Sequence, residues 1–178
     1  MRSSGYDEYE QRQTRLQATT RDWILRGEPN AFVTLTFKSE AEVSFRYAEK
    51  VFGTFAHELK CQLFGKKSKK RILMVPIIEG YASQQQRAAL TADQRTHIHC
   101  LFRFPQNPMS CKEAVRQIWV ASSGACGNPT VHCPDEDRWF RELGSDETKR
   151  IFTNYALKTC GQDTEAVLWK FVPSGHLI

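Results

Sequence analysis

The sequence predicts an α+β fold, an antiparallel sheet with helices on its faces, and three observations lead there. Short β-rich runs at residues 31–38, 71–80 and 95–104 alternate with longer stretches of helical period. The second and third runs are neighbours in the chain and pair most simply as an antiparallel hairpin. The coarse order, α-β-α-β-β-α-β-α, has more strands than a helical bundle would show. At 178 residues, with 40% hydrophobic and 25% charged side chains, the chain has the size and composition of one soluble domain. It has no internal repeat and no low-complexity linker. No apolar run approaches the roughly 18 residues of a membrane span.

Residues 6–26 read as a polar helix carrying Leu16, Trp23, Ile24 and Leu25, stopped by Gly27 and Pro29. In AFVTLTFK (31–38), Val33, Leu35 and Phe37 face one way and Phe32, Thr34 and Thr36 the other. Ser39 with Glu42 forms a capping-box pattern for a helix of about two dozen residues, whose apolar face runs from Phe45 through Leu59 to Leu63 and ends at Gly65. The strand RILMVPIIEG contains Pro76, which demands an edge position or a bulge because proline has no N–H to donate. Residues 81–94 read as a polar hairpin excursion, and RTHIHCLFRF as the next strand, closed by Pro105 and Pro108. Ser110 and Glu113 suggest a capping box for a helix through about Val120. A turn-rich loop, a short strand at TVHC and a helix from about Asp146 to Cys160 complete the chain.

Charge is unevenly spread. The net charge of +5 divides into −1 over residues 1–59, +7 over 60–103 and −1 over 104–178. Its densest part is Lys66, Lys67, Lys69, Lys70 and Arg71, which suits a polyanion such as nucleic acid through counterion release. A solvated loop is the plain alternative. The six cysteines form no CxxC pair, and the first residues contain acids and no apolar core, so reduced thiols in a cytoplasmic protein are expected. Cys126, His132 and Cys133 lack a recognised zinc spacing and are assigned to packing.

Three groups of residues could carry chemistry. His97 and His99 are two apart in a strand, so both imidazoles face the same side and can converge on one ion. Glu79 ends the preceding strand, and hairpin pairing puts it beside them. Two histidines and a carboxylate leave coordination positions open for phosphate oxygens and water on a divalent ion. Tyr155 and Lys158 lie one helical turn apart. A phenol, with a free pKa of about 10, is a poor nucleophile until it is set against a polarised electrophile, and a lysine nearby can stabilise the developing charge. Each has a plain structural alternative: half-buried histidines, a carboxylate capping a hairpin in solvent, a Tyr/Lys pair on a helix surface.

In order and spacing, FVTLTF (32–37), THIHCLF (96–102) and YALK (155–158) resemble motifs I, II and III of the HUH endonucleases, nearest to the rolling-circle replication initiator (Rep) branch. The resemblance covers roughly residues 31–160. It implies a ferredoxin-like or RRM-like sheet of about five strands and a single nicking domain over 1–178, with helix 6–26 as an appendage. It further implies sequence-specific nicking and joining of single-stranded DNA at an origin hairpin or nick site, through a 5′-phosphotyrosine. In that reading His97, His99 and Glu79 bind Mg²⁺ or Mn²⁺, Tyr155 is the nucleophile, Lys158 assists, and Thr34 and Thr36 belong to motif I, whose less settled role is either to buttress the site or to touch DNA. The sequence shows no GxxxxGK[ST] and no helicase domain, so unwinding would come from elsewhere, with host helicase and polymerase as partners in a prokaryotic host or mobile element, or from another part of a longer protein. Thr159 stands where two-tyrosine initiators have a second tyrosine. The alternatives are a small single-tyrosine transposase and, from another class, a non-catalytic single-stranded nucleic-acid-binding module.

Overall fold

A computed structural model describes residues 4–37, 43–80, 96–125, 131–132, 139–158 and 166–173. Its elements in chain order are α1 (Ser4–Arg26), β1 (Ala31–Phe37), α2 (Phe45–Phe64), β2 (Leu73–Glu79), β3 (His97–Arg103), α3 (Pro108–Ala125), β4 (Val131–His132), β5 (Phe140–Glu142) and α4 (Asp146–Ala156), followed by a 3-10 turn at Trp169–Phe171. The class is α+β, as expected. The sheet is antiparallel, with the order β2-β3-β1-β4, and the short β5 also pairs with β1. No helix among the described residues is long and apolar enough to cross a membrane.

Strand alternation divides the protein into two cores. Val33, Leu35, Met74, Ile78, Ile98, Cys100 and Phe102 point to one face, where Phe52, Phe55 and Leu59 of α2 and Val115 and Trp119 of α3 cover them. Trp119 is fully buried, and its indole N–H donates to the Thr36 carbonyl at 3.1 Å, which satisfies its polar atom. Phe32, Val75, Ile77 and Leu101 point to the other face, against Ile24 of α1 and Ala156 and Leu157 at the end of α4. Helix α1 packs onto this second face. Ile24 is 1% exposed, and Gln17 donates to the Leu157 carbonyl at 3.3 Å, so α1 forms part of the second layer.

Several boundaries differ from expectation. The α2 helix starts at Phe45, with the Ser44 side chain accepting from the Tyr47 N–H, and not from Ser39; residues 38–42 lie outside the described residues. Gly65 ends it as expected, at φ 84°, a left-handed value that costs glycine no Cβ clash, and its N–H closes on the Cys61 carbonyl. The α3 helix begins at Pro108, because the Asn107 side chain caps the Met109 N–H at 2.8 Å, and proline fits the first helical position. Ser110 and Glu113 therefore lie inside α3, which continues to Ala125 rather than stopping near Val120. The hairpin excursion at 81–94 falls outside the described residues.

Pro76 occupies an edge strand, as its missing donor requires. That outer edge of β2 is partly covered: Val167 bridges Ile77, and the Leu168 N–H donates to the Pro76 carbonyl at 3.0 Å. Asn30 anchors the start of β1. Its side chain exchanges two hydrogen bonds with the Phe104 backbone, at 2.8 and 2.9 Å, and its own N–H donates to the Phe102 carbonyl.

Candidate functional site

Register builds the site. In the β2–β3 ladder Glu79 is opposite His97 and Ile77 opposite His99; in the β1–β3 ladder Thr34 is opposite His99. All these side chains except that of Ile77, which fills the second core, converge at one end of the α1/α4 face. Glu79 Oε2 lies 3.2 Å from His97 Nε2 and 3.4 Å from His99 Nε2, and the two Nε2 atoms are 3.1 Å apart. Three donor atoms of a small divalent ion, with bonds of about 2.1 Å at octahedral or tetrahedral angles, stand about 3.0 to 3.4 Å from one another. The three side chains could therefore hold one metal ion with little rearrangement, and they are the only such group among the described residues.

The histidines are held by their second ring atoms and by stacking. Thr34 Oγ1 lies 3.1 Å from His99 Nδ1. When His99 offers its Nε2 lone pair to an ion, Nδ1 carries the proton and donates it to Thr34, which fixes tautomer and ring plane together. Phe32 stacks on the His99 ring at 5.1 Å between centroids. A buttressing role for Thr34 is one of two expected for motif I; the stacking of Phe32 is not legible in the sequence. The alternation of FVTLTF puts Phe32 and Thr34 on one face, but only the β1–β3 register shows that the histidines share it.

Burial and charge set the protonation states. Burial pushes the Glu79 carboxyl up, but hydrogen bonds from His97 and His99, the charge of His99 and a hydrogen bond from Lys158 outweigh it and hold the group far below the usual carboxylate range. Burial lowers His99, only partly opposed by the hydrogen bond to Glu79, so its neutral, metal-ligating form prevails at pH 7. Lys158 is raised: burial disfavours its charge, but the hydrogen bond to Glu79, that carboxylate's charge and Tyr155 more than compensate.

Tyr155 comes from α4. This helix has 11 residues, too few to be stable alone, and is fastened at its start by a reciprocal capping box between Ser145 and Thr148. Phe152, one turn before the tyrosine, packs against Phe32 at 5.0 Å. Tyr155 is thereby delivered to the site with its ring 5.1 Å from that of His99, while remaining 47% exposed. Helix α4 ends at Ala156, so Lys158 belongs to the following turn and not to the helix expected to reach Cys160. It still meets Tyr155: its Nζ lies 4.1 Å from the ring centroid and 3.2 Å from Glu79 Oε2. Glu79, His97, His99, Tyr155 and Lys158 thus form one cluster.

In comparisons with protein-family models, curated proteins and solved structures, nothing matches this chain.

The basic run is elsewhere. Lys66, Lys67, Lys69, Lys70 and Arg71 are all exposed, in the segment between α2 and the start of β2. Glu79 is at the other end of β2, so about 20 Å of extended strand separates the run from the cluster. His132 pairs with Thr36 in β4, while Cys126 and Cys133 lie outside the described residues. Cys61, Cys100 and Cys111 are free thiols.

Proposed function

We propose that this chain is a single-tyrosine HUH endonuclease of the Rep type, which nicks and rejoins single-stranded DNA at an origin. The observation that carries the reading is a half-exposed tyrosine, Tyr155, packed edge-on against His99 of a Glu/His/His group, with Lys158 reaching from the tyrosine ring to Glu79. Glu79, His97 and His99 would hold Mg²⁺ or Mn²⁺. When bound there, the ion would supply Lewis-acid polarisation of a phosphoryl oxygen.

The chain's own residues do the rest. Thr34 and Phe32 hold His99 in a ligating orientation. The Tyr155 oxygen attacks phosphorus, forming the P–O bond to tyrosine as the P–O bond to the 3′ carbon's oxygen breaks. The phenol proton is balanced by the proton that the leaving 3′-oxygen acquires, giving a free 3′-hydroxyl and a 5′-phosphotyrosine. The ammonium of Lys158 stabilises the phenolate and the phosphate charge as they develop. Because one phosphodiester is exchanged for another, the 3′-hydroxyl can reverse the step, so joining accompanies nicking. In this reading the exposed basic run binds DNA phosphates at a distance from the chemistry. The setting would be the cytoplasm of a prokaryotic host or its mobile element, with host helicase and polymerase as partners.

The test is incubation of labelled single-stranded candidate origins with protein and Mn²⁺, read on a denaturing gel. A covalent protein–DNA band is expected, absent in Tyr155→Phe, in the His97→Ala, His99→Ala double variant and in excess chelator. An adduct persisting in Tyr155→Phe would assign the attack to another residue. Cleavage without an adduct would mean hydrolysis by water, and binding without cleavage would favour the nucleic-acid-binding module.

A further inference from the structure

Glu79 Oε2 is shared by three donors: His97 Nε2, His99 Nε2 and, at 3.2 Å, the ammonium of Lys158. The first two are metal-ligand atoms. The third is a fixed positive charge on the same oxygen. Glu79 is 5% exposed, and this ammonium places a full positive charge against its buried carboxylate. The Lys158 side chain is 45% exposed and follows the end of α4, so it has room to swing away.

An ion coordinated by Oε2 would stand about 2.1 Å from that oxygen. With Lys158 where it is, a dication and an ammonium would then lie within about 5 Å of each other on one carboxylate oxygen. When the histidine Nε2 atoms turn their lone pairs to the ion they no longer donate to Oε2, so the opposition to simultaneous occupancy is electrostatic.

We propose that Lys158 is an exchangeable internal counter-ion: it neutralises Glu79 until a divalent metal ion displaces it, so that metal loading frees its ammonium to act beside Tyr155. The exchange breaks the Glu79–Lys158 ion pair and forms a Glu79–metal bond. Lysine keeps its proton and no electron is transferred. Lys158 thus weakens metal binding while serving the loaded site, a role opposite in sign to that of Thr34. The inference rests on Glu79, His97 and His99 as a metal group and not on the DNA chemistry.

The experiment is Mn²⁺ binding to the full chain without DNA, followed by the electron paramagnetic resonance of free Mn²⁺, in wild type, Lys158→Met and Lys158→Arg. The Met variant, which keeps the apolar stem and loses the charge, is expected to bind on the order of tenfold more tightly. That is the repulsion of +1 and +2 charges about 5 Å apart even at the dielectric of water. The Arg variant, which keeps the charge, is expected to stay near wild type. In wild type, the ¹⁵N resonance of the Lys158 ammonium is expected to shift as Mg²⁺ saturates the site, and this titration decides the matter if the Met variant does not fold. Equal or weaker Mn²⁺ binding by a folded Met variant, or an unmoved resonance at saturation, overturns the proposal and leaves the metal site standing. Failure of wild type to bind Mn²⁺ at all overturns both.

Discussion

Thr34 and His99 are 65 residues apart in the chain, yet one hydroxyl on one ring nitrogen fixes which face of the imidazole reaches Glu79. Thr34→Val keeps the shape and removes the hydroxyl. Removing such a supporting hydrogen-bond partner typically costs about 10- to 100-fold in metal affinity, and that is the change expected in Mn²⁺ binding, with little change in thermal stability. Unaltered affinity would mean that stacking on Phe32 alone orients the ring. Protonation gives a second expectation. Glu79 and His99 both titrate lower in the folded chain than their ordinary values of 4.5 and 6.5, so below about pH 6.5 the unfolded chain binds more protons. Their contribution to stability is complete above that pH, declines as acid protonates first the unfolded-state histidine and then the carboxylate, and is lost below the folded values. Lys158 has the opposite sign: its contribution is complete below 10.5 and lost as pH rises through its raised folded value. Thermal melts should therefore show a loss starting near pH 6.5 on the acid side; a melting temperature flat from pH 7 to 4 would contradict the assignment.

At the scale of elements, legibility followed the length of the pattern. The faces of β1 and β3 and the antiparallel pairing of β2 with β3 could be read because alternation over seven residues is a strong signal, and together they put Glu79 beside His97. Helix starts were less legible. Ser39 with Glu42 and Ser110 with Glu113 match the capping-box pattern, but Ser44 and Asn107-Pro108 act as the starts, since a cap works only where the chain actually turns into the helix. The strand β5, three residues long, offers no period to detect. For Thr34 the resemblance left buttressing and DNA contact open, and the stacking of Phe32 could not be read at all, because both depend on register between distant strands. The capping box of α4, by contrast, makes a testable claim. Ser145→Ala should cost about 1 kcal/mol, a fall of about 2–4 °C in melting temperature for a chain of this size, measured by calorimetry. Mn²⁺ affinity should not change, because α4 carries no metal ligand; a weakened site would show that the helix start positions the strands as well.

At the scale of the molecule, the proposed function would separate affinity from reaction along β2. One end of the strand carries the exposed run from Lys66 to Arg71 and the other carries Glu79. Replacing Lys66, Lys67, Lys69, Lys70 and Arg71 with neutral residues should weaken binding of any single strand. It should also flatten the dependence of log affinity on log salt, by about 0.7 for each phosphate no longer neutralised. At saturating DNA the rate of adduct formation should stay near that of the unaltered chain, because about 20 Å of β2 separates the run from Glu79. An unchanged salt slope would return the run to a solvated loop, and a large drop in rate at saturation would mean that the strand is drawn across the cluster by these charges.

The segment from Val167 to Phe171 has a mechanical meaning. It lies along the outer edge of β2, with Trp169 against Trp23 of one helical layer and Phe171 against Phe52 of the other. Stripped of that seam, β2 would present free backbone donors and acceptors to other molecules, checked by Pro76 alone. The strand that would then recruit neighbours is the one that carries Glu79. Aggregation and loss of the Glu79, His97 and His99 group would therefore be one failure, beginning at the same thread.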